Sequence, residues 1–322
     1  MASECRTLIQ YRPFRSTDPP QLAEIWRSQT GQRGLMQPMS MAVLERFVLS
    51  KPFFDPQGLL VAVDDNKLLG FSHSGFGPSL DQSSLSTERG TTCLVMLRPE
   101  AESLIAGELL SRGEAYLRKQ GAKTLFGGGN FPLSPFYYGL YGGSEVSGVL
   151  DSDARTQAIF CEHGYRPVKR SLVLERDLAS FRPIVDRQQM QIRRQTKFET
   201  IVDPPTTTWW EACLFEPFDR TQCVLLPRNG GRPSASVNFW NMETMSPAWG
   251  VHAVGIVGLE VPTERRRQGL ATYLLGESFR QLHAQGFALA EVHVAEENAV
   301  AQAMYRHLGF AQVDASVLYC KD

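Results

Sequence analysis

Net charge, metal-ligand spacing and long apolar runs are all missing from this chain. Its 33 Lys and Arg residues stand against 34 Asp and Glu, for a formal charge of −1 over 322 residues. No basic face or tail advertises nucleic acid or an anionic membrane surface, and neither is expected as a partner. The six cysteines, Cys5, Cys93, Cys161, Cys213, Cys223 and Cys320, form no CxxC or comparable spacing. No metal is expected, and the cysteines read as reduced thiols of a cytoplasmic protein. No window approaches the roughly 20 apolar residues of a spanning helix, and Met1–Arg6 leads into no apolar signal core.

What is present is the composition of a folded chain, 43% hydrophobic and 21% charged, at a length that suits two domains. Two pairs of segments resemble each other. Ala115–Phe126, around Gly121, looks like Phe279–Ala290, around Gly286; each reads as a helix, a terminating glycine and a strand. Glu162–Val168, around Gly164, looks in the same way like Arg306–Val313, around Gly309. The first pair of glycines lies 165 residues apart and the second 145, so the first copy carries about 20 extra residues. These fall near Gly127–Leu150, a stretch rich in glycine, proline and aromatics. It reads as a loop, yet it is too aromatic for simple disorder.

Periodicity and turn chemistry predict strands at 8–14, 58–63, 67–76, 91–97 and 169–176 in the first half. Helices are predicted at 19–29, 41–50, 102–120 and 153–163. The second half predicts strands at 197–202, 251–261, 289–294 and 312–320, a hairpin over 222–240, and helices at 207–217, 269–285 and 299–307. Residues 179–186, with Pro183, form the candidate linker between a domain of residues 1–178 and one of residues 187–322. The expected fold class is α/β, each domain a mixed, partly antiparallel sheet flanked by helices.

Gly258–Ala271 runs from a strand into an amphipathic helix. Gly269 and Ala271 would admit close approach of a ligand to the backbone, and free N–H groups at a helix start, with Arg266 and Arg267 beside them, favour an anion. A basic loop before a helix is commonly only a solvated turn. Here Arg266-Arg267-Gln268-Gly269-Leu270-Ala271 fits Arg/Gln-x-x-Gly-x-Gly/Ala, and Asn298-x-x-Ala301-x-x-x-Tyr305-x-x-x-Gly309-Phe310 follows it. Together these resemble the GNAT (GCN5-related) N-acetyltransferase superfamily over roughly residues 255–311.

The resemblance implies two tandem GNAT-like domains, an arrangement similar to that of mycothiol synthase-like double-domain acetyltransferases. It implies transfer of an acetyl group from acetyl-CoA, as co-substrate, to a primary amine of a small-molecule or peptide acceptor. Leu259–Val261 would splay at a bulge and bond the pantetheine arm. The backbone of Arg267–Ala271 would hold the pyrophosphate, Arg266 and Gln268 belonging to the same loop, and Asn298 would contact pantetheine. Tyr305 would protonate the departing thiolate. A departure from the pattern puts Thr263 at a usual proline, with Pro262 displaced by one, which implies a slightly altered loop.

Two residues compete as base. His293 shares a strand face with Glu291 and matches a position where many family members carry glutamate. Glu260 lies beside the expected bulge. His293 also reads as a satisfied sheet histidine, and the enzyme could bind its amine already neutral. A non-catalytic acetyl-CoA-binding regulatory module is the rival reading.

Aligned on the second copy, the first looks degenerate. Glu102 stands for Arg266, Ile105 for Gly269, Gly107 for Ala271, Asp153 for Asn298 and Phe160 for Tyr305. Residues 1–178 are therefore expected to be non-catalytic. Loop 127–150, with Phe131, Phe136, Tyr137, Tyr138 and Tyr141, could reach the domain junction and shape the acceptor site. Trp209, Trp210, Phe215, Phe218, Trp240 and Trp249 could line an acceptor pocket or pack the core.

Overall fold

A computed structural model describes residues 9–130, 133 and 136–322. Phe131, Leu8 and Cys5 lie outside the described residues. The first half runs β1 (Gln10–Pro13), α1 (Pro19–Arg27), α2 (Met41–Leu44), β2 (Leu59–Asp64), β3 (Lys67–Pro78), β4 (Leu85–Leu97), α3 (Ser103–Lys119) and β5 (Thr124–Gly127). It continues through β6 (Val149–Leu150), α4 (Ala154–Glu162) and β7 (Arg166–Asp177). The second half runs α5 (Arg187–Gln195), β8 (Thr196–Val202), α6 (Trp209–Phe215), β9 (Arg220–Pro227), β10 (Ala235–Asn241), α7 (Ser246–Trp249) and β11 (Ala253–Glu260). It ends with α8 (Leu270–Ala284), β12 (Leu289–Ala295), α9 (Ala299–His307) and β13 (Ala311–Lys321).

The two halves repeat one order of elements and share one mixed α/β sheet. Its strand order is β1-β2-β3-β4-β5-β13-β7-β12-β11-β10-β9-β8, with β6 set against β13. Most pairs are antiparallel; β4–β5 and β11–β12 are parallel, each joined by a crossover helix. The order reads alike from both ends, so a pseudo-twofold passes between β13 and β7.

The halves exchange their last strands. β7, from the first half, pairs with β12, while β13, from the second, pairs with β5. The side chains follow. Leu172 and Leu174 of β7 pack in the core of the second half with Leu274, Phe279 and Val292. Val317 and Tyr319 of β13 pack in the core of the first with Leu109, Leu125 and Phe160. Each strand removes an unpaired edge and carries apolar area into the other half, worth about 1.5–3 kcal/mol for each fully buried large side chain. The chain therefore crosses from one half to the other near 178–186, whereas the sheet has no break there.

A third cluster lies where the halves meet, and loop 127–150 builds much of it. Tyr138 packs against Phe215, Phe218 and Trp240 at ring-centroid distances of 5.2, 5.6 and 5.2 Å. Its neighbours Phe136, Tyr137 and Tyr141 are buried beside Trp26 and Trp210. Trp210, Phe215, Phe218 and Trp240 are thus core residues. Trp209 stays exposed, and Trp249 lies under the Arg33 guanidinium at 4.4 Å. Helix α5, too polar to stand out by its apolar pattern, is the main element the sequence reading missed. Among the described residues the cysteines are free thiols, and no helix is long and apolar enough to cross a membrane.

Candidate active site

β11 and β12 run in register only as far as Ile256 and Val292. Beyond that point they part, and the gap widens into the site. On its other side β11 meets β10 with Asn238 opposite Val257 but Ser236 opposite Glu260, so β11 holds one extra residue. That bulge contains Gly258 at φ +61°, a conformation an L side chain rarely adopts. Leu259 and Glu260 follow the bulge at the end of β11, Glu260 still paired with Ser236, and Val261 lies just beyond the strand.

After β11, Thr263–Arg265 make one 3₁₀ turn behind Pro262. Arg267 at φ +61° and Gly269 at φ +75° then bend the backbone into the start of α8. Gly269 caps the helix without a side-chain acceptor. Among the described residues nothing accepts from the N–H groups of Arg267, Gln268, Gly269, Leu270 and Ala271. Five unpaired amides in two left-handed bends, at the positive end of a helix of 15 residues, make an anion cradle. The apolar stripe of α8 (Leu270, Leu274, Leu275, Phe279 and Leu282) fixes the cradle on the core.

The cradle opens on a cleft of about 1090 Å³. One wall is Leu259–Thr263 with Arg265, Arg266, Arg267, Gly269, Leu270 and Ala271. Another is the start of α9, with Asn298, Val300, Ala301 and Met304, and the third is the β9–β10 hairpin at Arg232–Ser236. Asn298 caps α9 by accepting from the Ala301 N–H at 3.1 Å. Val300, 77% exposed, presents an apolar rim. Four arginines, Arg232, Arg265, Arg266 and Arg267, line the cleft; the hairpin itself was expected, but not its role as a wall.

Most sequence-predicted site residues therefore meet in one place. Gln268 points outward and donates to the Glu264 carbonyl at 3.4 Å. Tyr305 is buried one residue beyond Met304, its ring edge-on to Phe310 at 5.1 Å. No hydrogen bond to its hydroxyl occurs among the described residues, and burial pushes its phenol well above the ordinary range.

His293 does not line the cleft. It is the first β12 residue past the last β11 pair, and its side chain is almost fully enclosed on the face that loop 127–150 covers. Nδ1 meets Ser147 Oγ at 2.6 Å, and Ser147 Oγ meets Ser316 Oγ at 2.6 Å. Nε2 faces Glu291 at 3.6 Å, a charge contact too long for a hydrogen bond. Glu291 is fully buried, accepts from the Ser144 N–H at 2.6 Å and pairs with Arg33 at 2.9 Å. Burial alone would raise its carboxyl. His293, the Arg33 charge and the Ser144 amide outweigh that and hold it below the ordinary carboxylate range. Arg33 also pairs with Glu175 of β7. No local pattern pointed to Arg33 or Ser144, which reach Glu291 across the interface between the halves.

The first copy has the same parts in another state. Glu102 caps α3 in an extended conformation, and the Ile105 N–H already donates to the Glu102 carbonyl at 3.1 Å. Ile105 is buried, and Gly107 serves helix packing: a Cβ there would come within 2.4 Å of the His163 ring. Between the end of β4 and α4 only about 30 Å³ remains. The Arg155 guanidinium lies there, donating to the carbonyls of Ala101 at 2.7 Å and Arg98 at 3.4 Å. Asp153 caps α4 through the Thr156 N–H, as Asn298 caps α9.

Comparison with known proteins agrees with this geometry. Residues 188–310 match the model of the acetyltransferase (GNAT) family. Among solved structures, a GCN5-related glucosamine N-acetyltransferase region in a fungal multi-domain GH3 β-N-acetylglucosaminidase superposes with a TM-score of 0.71 at 17% identity. The match covers 99% of this chain and 38% of that one, so the chain spans well under half of the fungal protein. A GCN5-related N-acetyltransferase from Sphaerobacter thermophilus gives 0.64 at 17% identity, covering 97% of this chain and 95% of that one. A tandem GNAT protein from the clavulanic acid biosynthesis pathway gives 0.67 at 15%, covering 98% of each. The chain has the GNAT fold over its whole length, and its residues 188–310 match the GNAT acetyltransferase family.

Proposed function

We propose that the chain is an N-acetyltransferase that moves an acetyl group from acetyl-CoA to a primary amine, carried by a small molecule or a peptide. The observation that carries this reading is the row of five unpaired amides at Arg267–Ala271, in a loop of which Arg267, Gly269, Leu270 and Ala271 line the cleft beside the parted strands β11 and β12. A diphosphate would take those amides, with Arg266 and Arg267 adding charge. The pantetheine arm would run along Leu259–Val261 toward Asn298, bringing the thioester to where the strands part.

In this reading the amine nitrogen attacks the thioester carbon, the C–S bond breaks, and Tyr305 gives its proton to the sulfur. A phenol held protonated by burial suits that step. The pose of His293, both ring nitrogens turned to protein groups, favours a proton path through Ser147 or water over direct contact with the amine. Glu260, exposed on the cleft wall, keeps its place as the competing base. The first half, its equivalent gap filled by Arg155, supports the fold and the acceptor side and performs no thioester chemistry.

The test is release of free coenzyme A when the protein is given acetyl-CoA and a panel of primary amines. Thiol release that depends on an amine supports the reading. Tight acetyl-CoA binding with no release for any amine would overturn it in favour of a regulatory binding module.

A further inference from the structure

Residues 143–147 of the long loop lie across the open face of β12. A Cβ on Gly143 would come within 2.2 Å of the Glu291 carboxylate, and the Ser144 amide donates to it at 2.6 Å. Ser147 holds His293 at 2.6 Å. Glu145 sits between these anchors. His293 Nε2 and Ser144 Oγ have no hydrogen bond among the described residues. Each buried charged or titratable side chain beside Glu145 is nonetheless matched by at least one partner: Glu291 by Arg33 and Ser144, Glu175 by Arg33, and His293 by Ser147 at Nδ1. Glu145 is not: among the described residues its carboxylate has neither a hydrogen bond nor an ion pair.

We propose that Glu145, carried by the first half, holds the cationic acceptor amine for acetyl transfer in the second half. The inference rests on the acetyltransferase reading above and adds a residue, a charge and a direction of approach.

The position fits. Glu145 lies within the field of His293 and of Lys169. His293 marks the point where β11 and β12 part. Lys169 lies on β7 just beyond the last pair with β12, Ser171 with Ala295, near the turn that leads to Asn298. Glu145 is held between the Ser144–Glu291 and Ser147–His293 contacts, over the part of β12 where its pairing with β11 ends. It is mostly buried but keeps part of its surface exposed. Burial pushes its carboxyl up, while His293 and then Lys169 pull it down. A carboxylate withdrawn from water with no donor is costly, and a primary ammonium supplies both the charge and the N–H groups it lacks.

The chemistry balances. The ammonium nitrogen loses one proton before attack and a second as the adduct collapses. The N–C bond forms, the C–S bond breaks, Tyr305 protonates the sulfur, and one of the nitrogen's protons restores the phenol. The other leaves to solvent. Glu145 orients the amine and selects for positive charge.

The experiment compares wild type, Glu145→Gln and Glu145→Asp with ethylamine, D-glucosamine and a peptide with a free N-terminus, by thiol release at saturating acetyl-CoA. Acetyl-CoA Kd is measured by calorimetry, and Tm serves as a folding control. Glu145→Gln is expected to raise the amine KM at least 10-fold, with acetyl-CoA Kd and Tm unchanged. Glu145→Asp should recover part of the loss. An unchanged amine KM in Glu145→Gln would overturn the proposal and leave the acetyltransferase reading standing. No amine-dependent release by wild type, despite acetyl-CoA binding, would overturn both.

Discussion

Phe160 and Tyr305 occupy the same place in the two halves: each ring meets an aromatic residue five positions on, Tyr165 at 5.0 Å and 67° and Phe310 at 5.1 Å and 68°. The backbone agrees, since the Tyr165 N–H donates to the Phe160 carbonyl at 3.0 Å and the Phe310 N–H to the Tyr305 carbonyl at 3.0 Å. The first copy therefore shows that this slot accepts phenylalanine. A Tyr305→Phe variant should fold normally and bind acetyl-CoA as wild type does. Its kcat for amine acetylation should fall by about 10²–10⁴-fold, the usual worth of a positioned acid. An unchanged kcat would remove Tyr305 from the mechanism.

Gly269 tests the anion cradle. At φ +75° it adopts a left-handed conformation, and a Cβ there would come within 3.0 Å of the Gln188 side chain. A Gly269→Ala variant should lose about 1–2 kcal/mol of stability from the backbone term. Acetyl-CoA Kd, measured by calorimetry, should rise at least 10-fold, because the amides around the cradle turn with that residue. A variant that loses stability and keeps its Kd would show that the bend serves only the fold.

The Arg33–Glu291 pair ties the halves together. Removing Arg33 leaves a fully buried carboxylate short of its cation, so Arg33→Met should cost about 3 kcal/mol in chemical denaturation. Glu291 has a folded pKa below its unfolded value of roughly 4.3. Its stabilisation is therefore complete above that value and is lost as pH falls through the folded pKa. Wild type should lose stability across this acid range, and Glu291→Gln should flatten that part of the profile. Parallel profiles for the two proteins would contradict the assignment.

Exchange of the last strands predicts how the chain can be cut. A fragment of residues 187–322 would expose the β12 edge and lose Leu172 and Leu174 from its core. It should aggregate or show no cooperative melt. Supplying residues 166–177, ahead of it in one chain, should restore part of its solubility. A well-folded 187–322 fragment would mean that β7 contributes little.

The cradle was legible because its causes are local. A glycine at a left-handed bend, arginines beside it and an apolar stripe after it all lie within one stretch, and the Asn298 cap lies in the next. The bulge was expected only from the family resemblance, and Gly258 at φ +61° is its local cause. The exchange of β7 and β13 could not be foreseen from the repeat, because similar copies are compatible with either pairing of their last strands. The contact of Arg33 with Glu291 spans 258 residues and leaves no periodic trace. The Glu291–His293 face was visible by period two, but the loop covering it was not. The loop's aromatic content argued against simple disorder and suggested reach to the domain junction, where Tyr138 packs against Trp240.

The central claim is that one acetyl-CoA site exists, in the second half, on the amides that follow Arg266. Calorimetric titration of acetyl-CoA into wild type and an Arg266→Glu, Gly269→Val double variant tests it most directly. One molecule bound per chain, and binding lost in the variant, is the expected result. Two molecules per chain, or wild-type affinity in the variant, would contradict the account.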